Sequence, residues 1–151
     1  MSFTTISVIG LGYIGLPTAA AFASRQKHVI GVDINQQAVD TINRGAIHIV
    51  EPDLDSVVKT AVEGGFLRAT TTPVAADAYL IAVPTPFKGD HDPDMVYVEA
   101  AAKSIAPVLK KGALVILEST SPVGATEQMA EWLAEIRPDL TFPQQAGNRL
   151  M

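Results

Sequence analysis

The stretch Ile6-Ser7-Val8-Ile9-Gly10-Leu11-Gly12-Tyr13-Ile14-Gly15 decides the reading of this chain. Four strand-type residues run into a G-x-G-x-x-G turn, and the residues after it, with the small run Ala19-Ala20-Ala21, read as a helix. A second apolar run, Val29-Ile30-Gly31-Val32, ends on Asp33. Strand, glycine turn, helix, strand and an acid roughly 20 residues on make the order of a dinucleotide-binding βαβ unit.

Each glycine has its own reason to be there. Gly10 turns the chain off the strand, Gly12 keeps any side chain away from an approaching pyrophosphate, and Gly15 lets the helix pack close to the sheet. The phosphates would lie on the helix N-terminus, where the unpaired N–H groups around Tyr13 and Ile14 attract an anion without a basic side chain. Pro17 falls in the first helical turn, where a missing N–H costs nothing. Asp33 is placed to accept hydrogen bonds from the adenosine ribose hydroxyls and to repel a 2′-phosphate, and Ile34, Asn35, Gln36 and Gln37 offer no arginine to pair with one. The cofactor expected is therefore NAD rather than NADP.

The chain has 151 residues, 48% hydrophobic and 18% charged, which suits one soluble domain with a single core. Its 11 basic and 16 acidic residues give a net charge of −5, and no basic cluster tracks a phosphate backbone, so no nucleic-acid partner is expected. No apolar run is long enough for a membrane span, and the N-terminus lacks the pattern of a signal peptide, so a cytoplasmic protein is expected. There is no cysteine, which removes disulfides, thiolate metal sites and thiol catalysis from these residues.

Further along, Asn35 would cap a helix from about Gln36 to Asn43 with Ala38, Val39 and Ile42 inward, stopped by Gly45. Asp53 would cap a second helix to about Val62 with Leu54, Val57, Val58 and Ala61 inward, ended by Gly64-Gly65. Phe66 to Thr70, Ala78 to Val83 and Ala113 to Leu117 read as strands. Helices are expected from about Pro93 to Leu109 and from about Ala125 to Ile136, the latter broken by Arg137-Pro138-Asp139. The alternation predicts an α/β fold, a Rossmann-type doubly wound parallel sheet, whose ligands lie beyond the carboxyl ends of the strands. Those ends carry Gly10-Leu11-Gly12, Asp33, Pro84-Thr85-Pro86 and Glu118-Ser119-Thr120-Ser121-Pro122. The acidic stretch Gly89-Asp90-His91-Asp92-Pro93-Asp94 lacks the spacing of a calcium loop and reads as a solvated loop with a helix cap, and no metal site is expected. His28 and His48 receive no role.

Taken together, Gly10 to Gly15, Val32-Asp33-Ile34-Asn35, Asn43-Arg44-Gly45, Glu51-Pro52-Asp53-Leu54, Val83-Pro84-Thr85-Pro86 and Ser119-Thr120-Ser121-Pro122-Val123-Gly124 resemble the UDP-glucose/GDP-mannose dehydrogenase family. The likeness runs to about Gln145, and Val-Pro-Thr-Pro and Ser-Thr-x-Pro-Val-Gly are its most specific parts. The wording of Glu118 to Gly124 and of Pro84 to Phe87 is similar to the bacterial branch that acts on UDP-N-acetyl-D-mannosamine. The resemblance implies NAD-dependent oxidation of that sugar's C6 alcohol to the uronate, a precursor of surface polysaccharide such as enterobacterial common antigen, by two hydride transfers through a cysteine-linked thiohemiacetal and thioester. It implies NAD contacts at Tyr13, Ile14, Asp33, Thr85 and Thr126, and a catalytic water held by Thr120. From the residues alone, Thr85 can equally shape a rigid turn, Thr120 can bond backbone, and Thr126 can cap the last helix.

The family's catalytic cysteine, its lysine and its UDP-sugar domain have no counterpart in this sequence, so the chain is expected to be inactive alone. Residues 1–145 are assigned to the NAD-binding domain, and the tail 146–151 departs from the family pattern, which implies a sheet stopping before its sixth strand. The strand at Leu114 to Leu117 would then lie on an open edge with apolar surface exposed, prone to aggregation or to pairing with another chain. Family enzymes oligomerise, and their UDP-sugar substrate is expected only for the full-length enzyme. An autonomous NAD-binding module and a non-functional fragment are the alternatives. A β-hydroxyacid dehydrogenase is the other enzyme class, and its substrate glycine and lysine motifs are not evident.

Overall fold

The computed structural model describes residues 3–143, and the tail assigned to 146–151 lies outside them. The glycine-rich opening forms β1 (Thr5–Ile9), the turn, and α1 (Gly15–Ser24). Then come β2 (His28–Val32), α2 (Gln36–Asn43), α3 (Leu54–Glu63), β3 (Leu67–Thr70) and β4 (Ala78–Ile81). A short hairpin of two-residue strands, β5 (Phe87–Lys88) and β6 (Asp92–Pro93), precedes α4 (Val96–Ile105), β7 (Leu114–Leu117) and α5 (Ala125–Ile136).

Five strands pair in parallel in the order β3-β2-β1-β4-β7. The chain starts at the centre of the sheet, winds outward through β2 and β3, then crosses back to β4, so the order reverses beside β1. Period-2 alternation splits the strands between two cores. Ile6, Val8, Val29, Leu67, Ala78 and Leu80 face α1, α2 and α3. Ile9, Ile30, Val32, Tyr79 and Ile81 face α4 and α5.

Small residues let α1 lie close: Gly15, Leu16, Ala19, Ala20 and Ala23 are all buried. Pro17 is its third residue, in the first turn, where proline is tolerated. The α2 cap is the expected one, with the Asn35 side chain accepting from the N–H groups of Gln37 and Ala38 at 3.0 and 3.3 Å.

Four local expectations are corrected. Asp53 stands before α3 in the left-handed region at φ 63° and makes no side-chain cap bond. Its carbonyl instead accepts from the Ser56 hydroxyl. Val57 is exposed, because only Leu54, Val58 and Ala61 fall on the stripe that meets the sheet. The stretch 89–94 is the tip and return of the β5–β6 hairpin rather than a plain loop, closed by Asp94 N–H to Pro86 carbonyl at 2.7 Å. That closure holds Pro93 in the hairpin, so α4 begins at Val96, and it ends at Ile105 where a tighter turn, Ala106–Val108, carries Pro107.

β7 is the edge strand among the described residues. Val115 and Leu117 pack on the α4–α5 core, while Leu114 and Ile116 on the other face are 43% and 41% exposed. At the opposite end of the strands, Asp77 gathers three of them. Its carboxylate accepts from the Thr4 and Thr5 N–H groups at 3.0 Å each and pairs with the Lys110 ammonium at 3.0 Å. These donors, Thr5 N–H first and Lys110 next, hold its carboxyl well below the usual carboxylate range.

A depressed carboxyl stabilises the fold above its unfolded pKa and loses that contribution as pH falls toward the folded value. Asp77→Ala is therefore expected to lower the thermal midpoint at neutral pH. Thermal melts of both proteins over a pH series should show the gap shrinking below pH about 4, the unfolded carboxyl range. A gap that stays constant into acid would contradict the role given to Asp77.

Candidate functional site

The carboxyl ends of β1, β2, β4 and β7 surround a cleft of ≈ 510 Å³ where the strand order reverses. Such a switch point is where open α/β sheets bind ligands. Gly10, Gly12, Tyr13, Ile14, Asp33, Thr85 and Thr120 all line it. Gly15 lies just behind, under the loop, and Thr126 lies outside the lining, exposed in the first turn of α5.

The protein's own backbone demands glycine at Gly10 and Gly15, a buried leucine presses on Gly31, and nothing presses on Gly12. A Cβ on Gly10 would stand 2.6 Å from the Ala82 carbonyl oxygen, and one on Gly15 would stand 1.7 Å from that of Gly10. A Cβ on Gly31 would meet both Leu11 methyls at 2.8 Å. At Gly12 nothing in the protein lies within 4 Å of that position. No neighbour in the protein requires a glycine at Gly12, which fits a residue kept small for a ligand's close approach. Beside it, α1 begins without a side-chain cap. The N–H groups of Gly12, Tyr13 and Ile14 have no acceptor among the described residues. An uncapped helix start next to an open glycine can take an anion.

The Asp33 carboxylate is held on both of its oxygens. One carboxylate oxygen accepts from Leu11 N–H and the other from Asn35 N–H, both at 2.9 Å. The side chain thereby ties the glycine loop to the end of β2. A carboxylate has about four lone-pair positions, so capacity remains on both oxygens for the two hydroxyls of a ribose.

On the other side of β1, hydroxyls lace the strand exits together. Thr85 donates to the Thr120 carbonyl at 2.6 Å, which shows the turn-shaping role open to it in the sequence. Ser119, buried in the lining, donates to the Val83 carbonyl at 2.7 Å. The Thr120 hydroxyl has no protein partner among the described residues and faces solvent. Sequence reasoning missed Ser119 as a tie, and missed Gly31, whose signal was a glycine inside an apolar strand. Among the described residues, no group of three or more His, Asp or Glu is arranged to hold a metal ion.

A parallel sheet ordered 3-2-1-4-5 in its main strands, a glycine loop opening α1 and an acid ending β2 define a dinucleotide-binding domain of the Rossmann type. The chain belongs to the UDP-glucose/GDP-mannose dehydrogenase family, whose NAD binding domain matches residues 4–146. It is 91% identical over 149 residues to the UDP-N-acetyl-D-mannosamine dehydrogenase of Salmonella typhi and 88% identical to that of Escherichia coli K12, covering 99% of this chain. In each case it spans 36% of the relative's length. Among solved structures, the UDP-N-acetyl-mannosamine dehydrogenase of Staphylococcus aureus superposes with a TM-score of 0.86 at 41% identity, over 91% of this chain and 34% of that one. The GDP-mannose dehydrogenase of Pseudomonas aeruginosa gives 0.84 at 29% identity, over 90% and 34%. The cofactor of this domain is NAD.

The glycines separate in experiment. Gly12→Ala is expected to keep the thermal midpoint of the wild-type chain while weakening NAD binding at least about tenfold, ~1.4 kcal/mol. Gly15→Ala, whose Cβ collides with backbone, should lower the midpoint itself. Calorimetric titration with NAD beside thermal melts checks both, and equal losses of stability in the two variants would contradict the distinction.

Proposed function

We propose that the chain is the NAD-binding N-terminal part of a UDP-N-acetyl-D-mannosamine 6-dehydrogenase, which oxidises the sugar C6 alcohol to the carboxylate of UDP-N-acetyl-D-mannosaminuronate. The observation that carries the substrate is the 91% identity to an enzyme of that name across 99% of this chain. The residues of the cleft support the cofactor half. NAD, when bound, supplies the hydride acceptor. Asp33 takes the adenosine ribose hydroxyls, the N–H groups at Gly12, Tyr13 and Ile14 take the pyrophosphate, and Thr85 lies toward the nicotinamide end. Thr120, with a hydroxyl unclaimed by the protein, is the residue we assign to holding a water, and Thr126 to a contact from the first turn of α5.

The chain contains no cysteine, so the thiol chemistry is assigned to residues outside these 151, and the chain alone to cofactor binding. The UDP-sugar is on the same reasoning a partner of the longer enzyme. Residues 1–145 are taken as the domain. No helix among the described residues is long and apolar enough to cross a membrane. A cytoplasmic setting is proposed because NAD and UDP-sugars are cytoplasmic metabolites.

The test is a chimera in which residues 1–143 replace the matching region of the Salmonella typhi enzyme. NADH formation is then followed with UDP-N-acetyl-D-mannosamine, UDP-glucose and GDP-mannose. The expected result is turnover with the first sugar alone, yielding two NADH per sugar. A folded chimera that reduces no NAD with UDP-N-acetyl-D-mannosamine would overturn the assignment.

A further inference from the structure

The strongest feature left unused by the site is Glu118, at the carboxyl end of β7. Its Oε1 accepts from the Thr18 hydroxyl of α1 at 2.6 Å, a contact between residues 100 apart in sequence. Its Oε2 is out of contact with solvent and has no hydrogen-bond partner among the described residues. A carboxylate oxygen held dry and unpartnered costs stability rather than adding to it, so packing gives no reason for an acid here. What the acid does achieve is geometric. Thr18 lies one turn into the helix whose N-terminus lines the cleft, and Glu118 immediately precedes Ser119 and Thr120, which line its far side.

We propose that Thr18 and Glu118 are positioning residues that set the Ser119–Thr120 segment against α1, and so set the half of the cleft that receives the nicotinamide end of NAD. The direction follows from the sheet order. Asp33 on β2 fixes the ribose end, the glycine loop after β1 takes the phosphates, and the remainder of the dinucleotide extends past β4 toward β7. The β7 exit is fastened to β4 by Ser119 to Val83 and by Thr85 to Thr120, both short bonds. Neither bond reaches α1. Among the described residues the Thr18–Glu118 bond is the side-chain hydrogen bond that spans from α1 to the β7 exit. Its loss leaves the β7 exit referenced to β4 alone, and Thr120 shifts relative to the phosphate site.

This inference rests on the chain binding NAD. Its test compares NAD with ADP-ribose, which carries every group of the dinucleotide except the nicotinamide. Thr18→Val keeps the volume of the side chain and removes the hydroxyl, whereas Thr18→Ser keeps the hydroxyl. By calorimetric titration, Thr18→Val should lose affinity for NAD by about fivefold, the net worth of one hydrogen bond, and keep its affinity for ADP-ribose. Thr18→Ser should bind both as the wild type does. Glu118→Ala should match Thr18→Val, and the double variant should be no worse than either single one, because the two side chains act as one unit. Thermal melts show that each variant is folded. Equal loss of NAD and ADP-ribose, unchanged NAD affinity in Thr18→Val, no recovery in Thr18→Ser, or additive losses would each overturn the proposal. A folded wild-type chain that binds ADP-ribose and NAD equally would overturn it as well, since no nicotinamide half would then be engaged. Failure of the wild type to bind either ligand would instead sink the cofactor reading beneath it.

Discussion

The Asp33 carboxylate, with one oxygen on the Leu11 N–H and the other on the Asn35 N–H, is the contact on which the cleft depends. It fixes the glycine loop to β2 before any ligand arrives. Hydrogen bonds to an ionised acceptor are worth roughly 1.5–3 kcal/mol, enough to hold a loop that glycine leaves conformationally free. Leu11 completes the anchor by burying its side chain against Gly31, where any larger residue would push it out. The loop is thus pinned by charge on one side and by packing on the other. The helix start is left pointing into the cleft with its N–H groups unclaimed.

Two kinds of constraint therefore share one short segment. Gly10, Gly15 and Gly31 answer to the protein's own atoms, whereas Gly12 answers to nothing the protein contains. The same division runs through the polar groups. The hydroxyls of Thr85 and Ser119 donate to backbone carbonyls and build the wall, while the Thr120 hydroxyl is unclaimed. Structural and ligand-facing roles are separable here by asking, for each group, whether the chain already satisfies it.

Much of this was legible in the sequence, because the governing signals are local. Period-2 apolar runs, the glycine spacing and the Asn35 cap each depend on residues within one turn or one strand. Expectation and structure part where backbone conformation, the exposed flank of a helix or a contact across the chain decides the outcome. Asp53 has the composition of a cap but adopts a left-handed conformation. Val57 belongs to the apolar pattern of α3, yet only a narrow stripe of that helix meets the sheet. α4 starts late because a backbone bond from Asp94 to Pro86 closes a hairpin first. Asp77, Ser119 and Glu118 gather partners tens of residues away, and no periodicity announces them.

The central claim is that these residues form an NAD site selected for a ribose bearing a free 2′-hydroxyl. Titration calorimetry of the purified chain with NAD and with NADP tests it most directly. The account predicts saturable binding of NAD and at least about tenfold weaker binding of NADP, whose 2′-phosphate would meet the Asp33 carboxylate with no lysine or arginine among the described residues lining the cleft to offset it. Equal affinity for the two, or a folded chain that takes neither, would contradict it.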